Sequence, residues 1–323
     1  MKTIWLVIPC YNEEEVLHET SKQLLTIMED LISKGKVSSL SRIAFVNDGS
    51  KDKTWDIIQE LHSENKLYVG INLSRNRGHQ NALLAGLTTA VKYADAIISL
   101  DADLQDDVGV IEKMIDNFNN GDDIVYGVRS ARKTDTFFKR FTAESFYKLI
   151  MFMGVDIVYN HADYRLMSKR AVEGLCSFRE VNLFLRGIVP QIGYKSSTVE
   201  YERHERFAGE SKYPLKKMLS FAFEGITSFS IKPLRMAIVL GCVAFAVSVI
   251  MILYGIISKI VGNTVSGWTS LSASIWAIGG VQLIMMGVIG EYIGKIYLET
   301  KDRPKFIIES VLVDEDAENK KDQ

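Results

Sequence analysis

The chain has 323 residues, 47% of them hydrophobic, with 38 Lys and Arg against 40 Asp and Glu and a formal net charge of −2. That length suits one large domain or two smaller ones with ample apolar residues for a core. The balanced charge excludes a nucleic-acid binder driven by bulk electrostatics, so any function that uses charge is local. Three cysteines, Cys10, Cys176 and Cys242, are far apart, lack metal-ligand spacing and read as buried thiols of a reducing compartment.

The first segment, KTIWLVIPCYNEEE, has an apolar run too short for a signal-peptide core and meets acid at once. It reads as a strand over residues 4–9. Further short runs rich in Val, Ile and Leu predict strands over 42–47, 67–73, 96–100 and 124–128, as buried parallel strands require. Helical patterns lie between them. Asn12 is a candidate N-cap ahead of Glu13, Glu14 and Glu15, whose charges suit a helix N-terminus, and Asp52 a candidate cap for KTWDIIQELHSE. GHQNALLAGLTTAV reads as a third helix. Strand and helix in alternation predict a doubly wound α/β sheet with right-handed crossovers, whose ligands bind at the carboxyl ends of strands. Asp48, Asp101 and Asp103 all fall at such ends.

The last third changes character. Residues 237–257 and 268–290 are uncharged apart from their flanks, each long enough to span a bilayer core, and a short linker joins them. Two buried core helices are the bland alternative. Lys232 and Arg235 precede the pair, Lys295, Lys301, Arg303 and Lys305 follow it, and the linker region holds only Lys259. The positive-inside rule then puts both ends in the cytoplasm. Gly279, Gly280, Gly287 and Gly290 offer small surfaces for helix association, and so for a homo-oligomer. The segment YPLKKMLSFAFEGITSFSIKPL either lies along the membrane surface or packs as an ordinary helix. The closing DEDAENKKDQ lacks an apolar face and reads as a disordered tail.

SLDADLQDD packs four carboxylates behind an apolar run. In an extended segment Asp101 and Asp103 point the same way, and two converging carboxylates suit Mg²⁺ or Mn²⁺, with water and substrate phosphates completing the shell. Gln105 is placed to add an amide oxygen. Neither G-x-G-x-x-G after the first strand nor G-x-x-x-x-G-K-[ST] is present, which argues against a dinucleotide fold and a P-loop. His79 at a helix start either touches substrate or packs against its own loop.

The segments VIPCYNEEE, FVNDGSKDKT, SLDADLQ, NHADYRLMSKRAV and ERFAGESKYPLKKM, in this order and followed by two apolar helices, carry a resemblance. The chain resembles the family 2 glycosyltransferases, and among them the polyprenyl-phosphate glycosyltransferases, which include bactoprenol glucosyltransferases and dolichol-phosphate mannose synthases. The resemblance covers all but the tail. It implies the GT-A fold, a doubly wound mixed sheet, then amphipathic interface helices and a two-helix transmembrane hairpin. The boundaries expected are a catalytic domain over 1–213, juxtamembrane helices over 214–232, two spans within 233–297 and a cytoplasmic tail over 298–323.

The resemblance also implies roles. Pro9, Tyr11 and Glu13 border the nucleotide base and ribose, and Asp48 binds the base. Asp101, Asp103 and Gln105 hold the metal, Asp101 also facing substrate. Arg129 lies near the diphosphate or acceptor phosphate, and Asp163 and Arg165 beside the reacting centre, Asp163 being the candidate base. Arg203, Arg206, Ser211 and Lys212 form a late loop over phosphate groups. The implied partners are a nucleotide sugar, a polyprenyl phosphate and the bilayer of a bacterial inner membrane, with no nucleic acid. UDP-glucose is the first expected donor; GDP-mannose, a UDP-N-acetyl sugar and an aminoarabinose derivative are the alternatives. A processive polysaccharide synthase lacks support, since Q-x-x-R-W is absent and two spans do not readily enclose a glycan. Retention of Asp101, Asp103 and Asp163 speaks against a non-catalytic scaffold.

Overall fold

A computed structural model describes residues 1–130, 161–181, 183–202, 232–261 and 267–314. These fall into two compact units, one from the described residues of 1–144, 156–213 and 303–323, the other from those of 214–302.

In the first unit, β1 (Ile4–Cys10), β2 (Arg42–Asn47), β3 (Tyr68–Leu73) and β4 (Ala96–Ser99) pair in parallel. Every residue of β1, β2 and β4 is buried, which is why they read as unbroken apolar runs. β5 (Ile124–Arg129) completes the expected set, each strand within one residue of its sequence-derived bounds at either end. Two strands the sequence reading did not single out follow. β6 (His161–Ser168) inserts antiparallel between β4 and β5, and β7 (Ser196–Tyr201) pairs in parallel outside β5. An eighth strand, β8 (Ile308–Leu312), comes from beyond the apolar helices and pairs antiparallel with β3. The mixed sheet therefore runs β7-β5-β6-β4-β1-β2-β3-β8.

Helices α1 (Leu17–Ser33), α2 (Thr54–Glu64), α3 (His79–Ala90) and α4 (Ile111–Asn119) alternate with the strands. α1 buries Leu17, Ser21, Leu24, Met28 and Leu31, a helical stripe that joins the sheet core. α3 lies so close to β1 and β2 that a Cβ at Gly86 would come within 2.4 Å of Val7 Cγ1 and 2.7 Å of Val46 Cγ2. Two shorter helices, α5 (Lys169–Cys176) and α6 (Leu185–Gln191), sit between β6 and β7.

Several expectations are corrected. Asn12 does not cap α1, which begins at Leu17; it adopts φ 54° and accepts a bond from the Lys51 amide through its side chain. A side chain used across two loops is not available to its own helix. Nor is Asp52 the N-cap of α2, which is Lys53, although its side chain accepts from the Thr54 amide at 3.0 Å. Of the cysteines only Cys10 is buried; Cys242 is exposed on an apolar helix that nothing among the described residues covers, and all three thiols are free. The post-helical segment is not a loose tail through Asp314, because β8 is part of the sheet and the buried Arg42 guanidinium pairs with Asp314 at 2.9 Å. Residues 315–323 lie outside the described residues, as does the expected juxtamembrane segment up to Lys232.

The second unit consists of α7 (Lys232–Ile260) and α8 (Trp268–Thr300). At 29 and 33 residues they measure roughly 43 and 50 Å. Both are long and apolar enough to cross a membrane, and their most apolar windows are not buried by any other described part of the protein. Such all-round apolar surface is the pattern of a membrane span rather than of buried core helices.

Candidate active site

Parallel β1, β2 and β4 end at one edge of the sheet, and antiparallel β6 begins there. Register does the placing. Ser99, the last residue of β4, pairs with Arg165, so continuing the ladder by two residues sets Asp163 opposite Asp101. The Ser99 hydroxyl donates to the Asp163 carbonyl at 2.6 Å and fixes the junction.

The D-x-D segment is a turn, not the extended stretch that strand alternation implied. Residues 102–103 turn and Leu104 takes φ 54°. A side chain from α1 holds it: the buried Thr20 hydroxyl donates to the Ala102 carbonyl at 2.7 Å. Asp103 accepts from the Gln105 amide at 3.2 Å. Asp101 is half-buried, with His79 Nε2 3.5 Å from its Oδ1. Burial, with the charges of Asp163, Asp106 and Asp103, pushes the Asp101 carboxyl up to about 6, against the pull of His79. Negative charge is thus crowded at this point. No group of three or more His, Cys, Asp or Glu placed to hold a metal occurs among the described residues. Two carboxylates with a buried Gln105 beside them form a hard oxygen set that fits Mg²⁺ or Mn²⁺ sharing its shell with water and phosphate.

Asp163 and Asp106 face cations. Asp163 accepts from Arg165 at 2.8 Å and from Arg186, at the start of α6, at 3.0 and 3.3 Å. Desolvation favours its neutral form, but Arg186 and Arg165 outweigh that and hold the carboxyl well below the usual range. Arg165 is fully buried. Asp106 accepts from the Tyr201 hydroxyl at 2.5 Å and from Arg129 at 3.4 Å, while Arg129 Nε donates to the same hydroxyl. Arg129 is thereby fixed at the end of β5 within reach of the acidic cluster.

On the β1–β2 side, Asp48 is buried and accepts from the amides of Arg77 and Gly78 at 2.7 and 2.9 Å. It anchors the loop that delivers His79, and Gly49 permits the close approach, since a Cβ there would meet Asn76 N at 2.5 Å with φ at 63°. Pro9 ends within β1, Tyr11 is exposed beyond it, and the Glu13 amide donates to Thr54 Oγ1 at 2.9 Å. Between these loops Asn12, Glu14, Glu15, Lys51 and Asp52 line a cavity of about 290 Å³.

The expected residues Pro9, Tyr11, Glu13, Asp48, Asp101, Asp103, Gln105, Arg129 and Asp163 thus lie in loops or near strand ends at one edge, and Arg165 lies inside β6 beside them. Arg203, Arg206, Ser211 and Lys212 lie outside the described residues. Sequence reasoning missed Thr20, Asp106, Arg186 and Tyr201. Asp106 alone left a signal, as one of the four crowded carboxylates; the other three gain meaning only through contacts made across the fold.

Residues 5–176 match glycosyl transferase family 2, and residues 232–296 match the GtrB C-terminal hairpin. The chain belongs to glycosyl transferase family 2. This glycosyltransferase is 54% identical to the uncharacterized glycosyltransferase YkoT of Bacillus subtilis (strain 168), over 96% of its own length and 92% of that protein's. It is 44% identical to the prophage bactoprenol glucosyl transferase homolog of Escherichia coli (strain K12), covering 95% and 99% of the two chains. It is also 44% identical to the bactoprenol glucosyl transferase of Shigella phage SfX, with the same coverage.

Proposed function

We propose that this glycosyltransferase moves glucose from UDP-glucose to polyprenyl phosphate, undecaprenyl phosphate in a bacterial inner membrane, giving a lipid phosphosugar for the cell envelope. The observation that carries this reading is the 44% identity to bactoprenol glucosyl transferases over 95% of the chain, a span that includes the apolar hairpin.

The chemistry follows from charge. The acceptor is a phosphate monoester with a second pKa of roughly 6, so it arrives largely dianionic and needs no deprotonation. Asp163, held ionised by two guanidinium groups, is a poor proton acceptor and serves instead to set Arg165 and Arg186 at the reacting edge. An acceptor oxygen forms a bond to the anomeric carbon while the bond from that carbon to the diphosphate oxygen breaks, and the nucleoside diphosphate leaves with the electron pair. Attack opposite the leaving group inverts the anomeric centre. Asp101 and Asp103, with Gln105, would hold Mg²⁺ or Mn²⁺, which would neutralise charge on the diphosphate. Arg186 and Arg129 supply fixed positive charge against the approach of two anions.

Topology supports a membrane setting. The described chain runs from β7 through two apolar helices and back to β8 of the same sheet. An even number of crossings is therefore needed, and two spans provide it. With the flanking Lys and Arg, the reading we propose has the sheet, residues 1–213, in the cytoplasm and the spans within 233–297. Residues 214–232 lie along the bilayer surface in this reading. Gly-bearing α8 suits a homo-oligomer.

UDP release tests the proposal. The full chain in detergent with Mg²⁺ and UDP-glucose should release UDP quickly only when undecaprenyl phosphate is added. Release that ignores the lipid would overturn the acceptor assignment.

A further inference from the structure

We infer that Glu309, on the strand that returns to the sheet after the hairpin, is a positioning residue for the loops at the nucleotide side of the site. The assignment of those loops to the nucleotide rests on the function proposed above.

The observation is a directed line of hydrogen bonds across three strands. Glu309 Oε2 on β8 accepts from Asn72 Nδ2 on β3 at 3.0 Å. Asn72 Oδ1 accepts from Asn47 Nδ2 on β2 at 2.8 Å. Asn47 Oδ1 accepts from the Ser50 amide at 3.2 Å. Ser50 Oγ accepts from the Asn12 amide at 3.0 Å, and Asn12 Oδ1 accepts from the Lys51 amide at 2.8 Å. The line ends on Asn12 and Lys51, which line the 290 Å³ cavity between the loops after β1 and β2.

Its direction is set at the Glu309 end. An ionised carboxylate only accepts, so Asn72 must turn its NH₂ toward β8 and its oxygen toward β2. Asn47 must then donate to Asn72 and keep its own oxygen for the Ser50 amide. Asn47 and Asn72 are register partners on neighbouring parallel strands, so no other pairing of their side chains is offered. Without the carboxylate each amide can flip, and the flipped form of Asn47 turns an NH₂ against the Ser50 N–H. Asn12 stands at φ 54°, a conformation asparagine tolerates better than most non-glycine residues but that outside hydrogen bonds help to hold. The two bonds from the β2 loop are that help.

β8 is fastened well enough to act as the fixed end. Besides its pairing with β3, the Ser74 amide donates to the Ile307 carbonyl at 3.0 Å, Lys305 Nζ donates to the Phe178 carbonyl at 2.9 Å, and Asp314 pairs with Arg42. Glu309 itself is exposed, so its removal costs the fold little.

The test uses the full chain in detergent and three variants: Glu309→Ala, Glu309→Gln and Val311→Ala. Gln keeps an oxygen that accepts the same Asn72 proton; Val311→Ala trims an exposed β8 side chain outside the line. Backbone exchange is measured for Asn12, Ser50 and Lys51, and the KM for nucleotide sugar separately from kcat. Glu309→Ala should speed exchange at these amides about five-fold, the worth of one net hydrogen bond. It should raise the donor KM by a similar factor while kcat and the melting temperature hold. Val311→Ala should match the parent in both, and Glu309→Gln, which keeps an accepting oxygen but no longer forces the direction, should fall between the parent and Glu309→Ala. Unchanged exchange in Glu309→Ala overturns the inference, and so does an equal change in Val311→Ala, which would trace the effect to strand docking alone. Exchange requires no turnover, so it decides this point even if no donor is transferred, an outcome that would sink the proposed function instead.

Discussion

Replacing Asp314 with Ala should unfasten the last strand. The Arg42 guanidinium and the Asp314 carboxylate are buried, with side-chain exposures of 4% and 7%, and make two bonds, 3.1 Å from Nε and 2.9 Å from the terminal nitrogen. Removing one partner of a buried pair generally costs about 3–5 kcal/mol, because the other charge is stranded. Two features reduce that here. Arg42 keeps bonds to the Ser39 and Ser41 carbonyls at 2.9 Å each, and β8 is an edge strand that can lift and admit water. A loss of roughly 2–3 kcal/mol remains, which for a unit of this size lowers the melting temperature by about 5–10 °C. Near-ultraviolet circular dichroism during heating reads the global effect, and amide exchange over Ile308–Leu312 reads the local one. Arg42→Met with Asp314→Leu should recover much of the loss, since no charge is then stranded. Unchanged melting and unchanged exchange in Asp314→Ala would refute the reasoning, as would a double variant worse than the sum of its parts.

Three further outcomes follow from the same geometry. Thr20→Val keeps the shape of α1 but strips the Ala102 carbonyl of its donor, so activity should fall about ten-fold with little change in melting, a loss near 1.4 kcal/mol; an unaffected rate would show that Thr20 does not hold the D-x-D turn. For Asp163 the sign is fixed by its depressed carboxyl: the stabilisation is present above the unfolded value near 3.9 and fades as pH falls through the folded value. Asp163→Asn should therefore melt well below the parent at pH 7, with the gap only beginning to narrow by pH 3, and its lost activity should not return at high pH. Coincident melting curves at both pH values would contradict this. Gly86→Ala forces a methyl into Val7 and Val46 and should cost about 1–3 kcal/mol, read as a lower melting temperature; a neutral result would mean that α3 can move off the sheet.

The central strands were legible because burial on both faces leaves little but Val, Ile and Leu, and their ends carried Asp48 and Asp101 into view. The D-x-D spacing was legible as chemistry but not as shape, since nothing in the residues announces that Leu104 adopts a positive φ. Asn12 shows how a local rule loses to a tertiary one: its side chain has cap chemistry, and Lys51 from another loop claims it. Arg186 lies 23 residues from Asp163, and Tyr201 95 residues from Asp106, so those pairings are products of register and topology. β8 did leave a trace. Its residues alternate between partly buried and exposed, but the run is short and sits between a long apolar helix and a charged end that together draw attention away.

The measurement that bears most directly on the account is the mass of the lipid product. Full-length protein in detergent would receive Mg²⁺, undecaprenyl phosphate and, in separate reactions, UDP-glucose, GDP-mannose and a UDP-N-acetyl sugar, with Asp103→Asn run beside it. The account predicts an organic-extractable hexosyl phospholipid from UDP-glucose alone, abolished by chelation and by the substitution. Hexose transfer that survives Asp103→Asn, or a folded protein that yields no lipid-linked sugar from any donor, would contradict it.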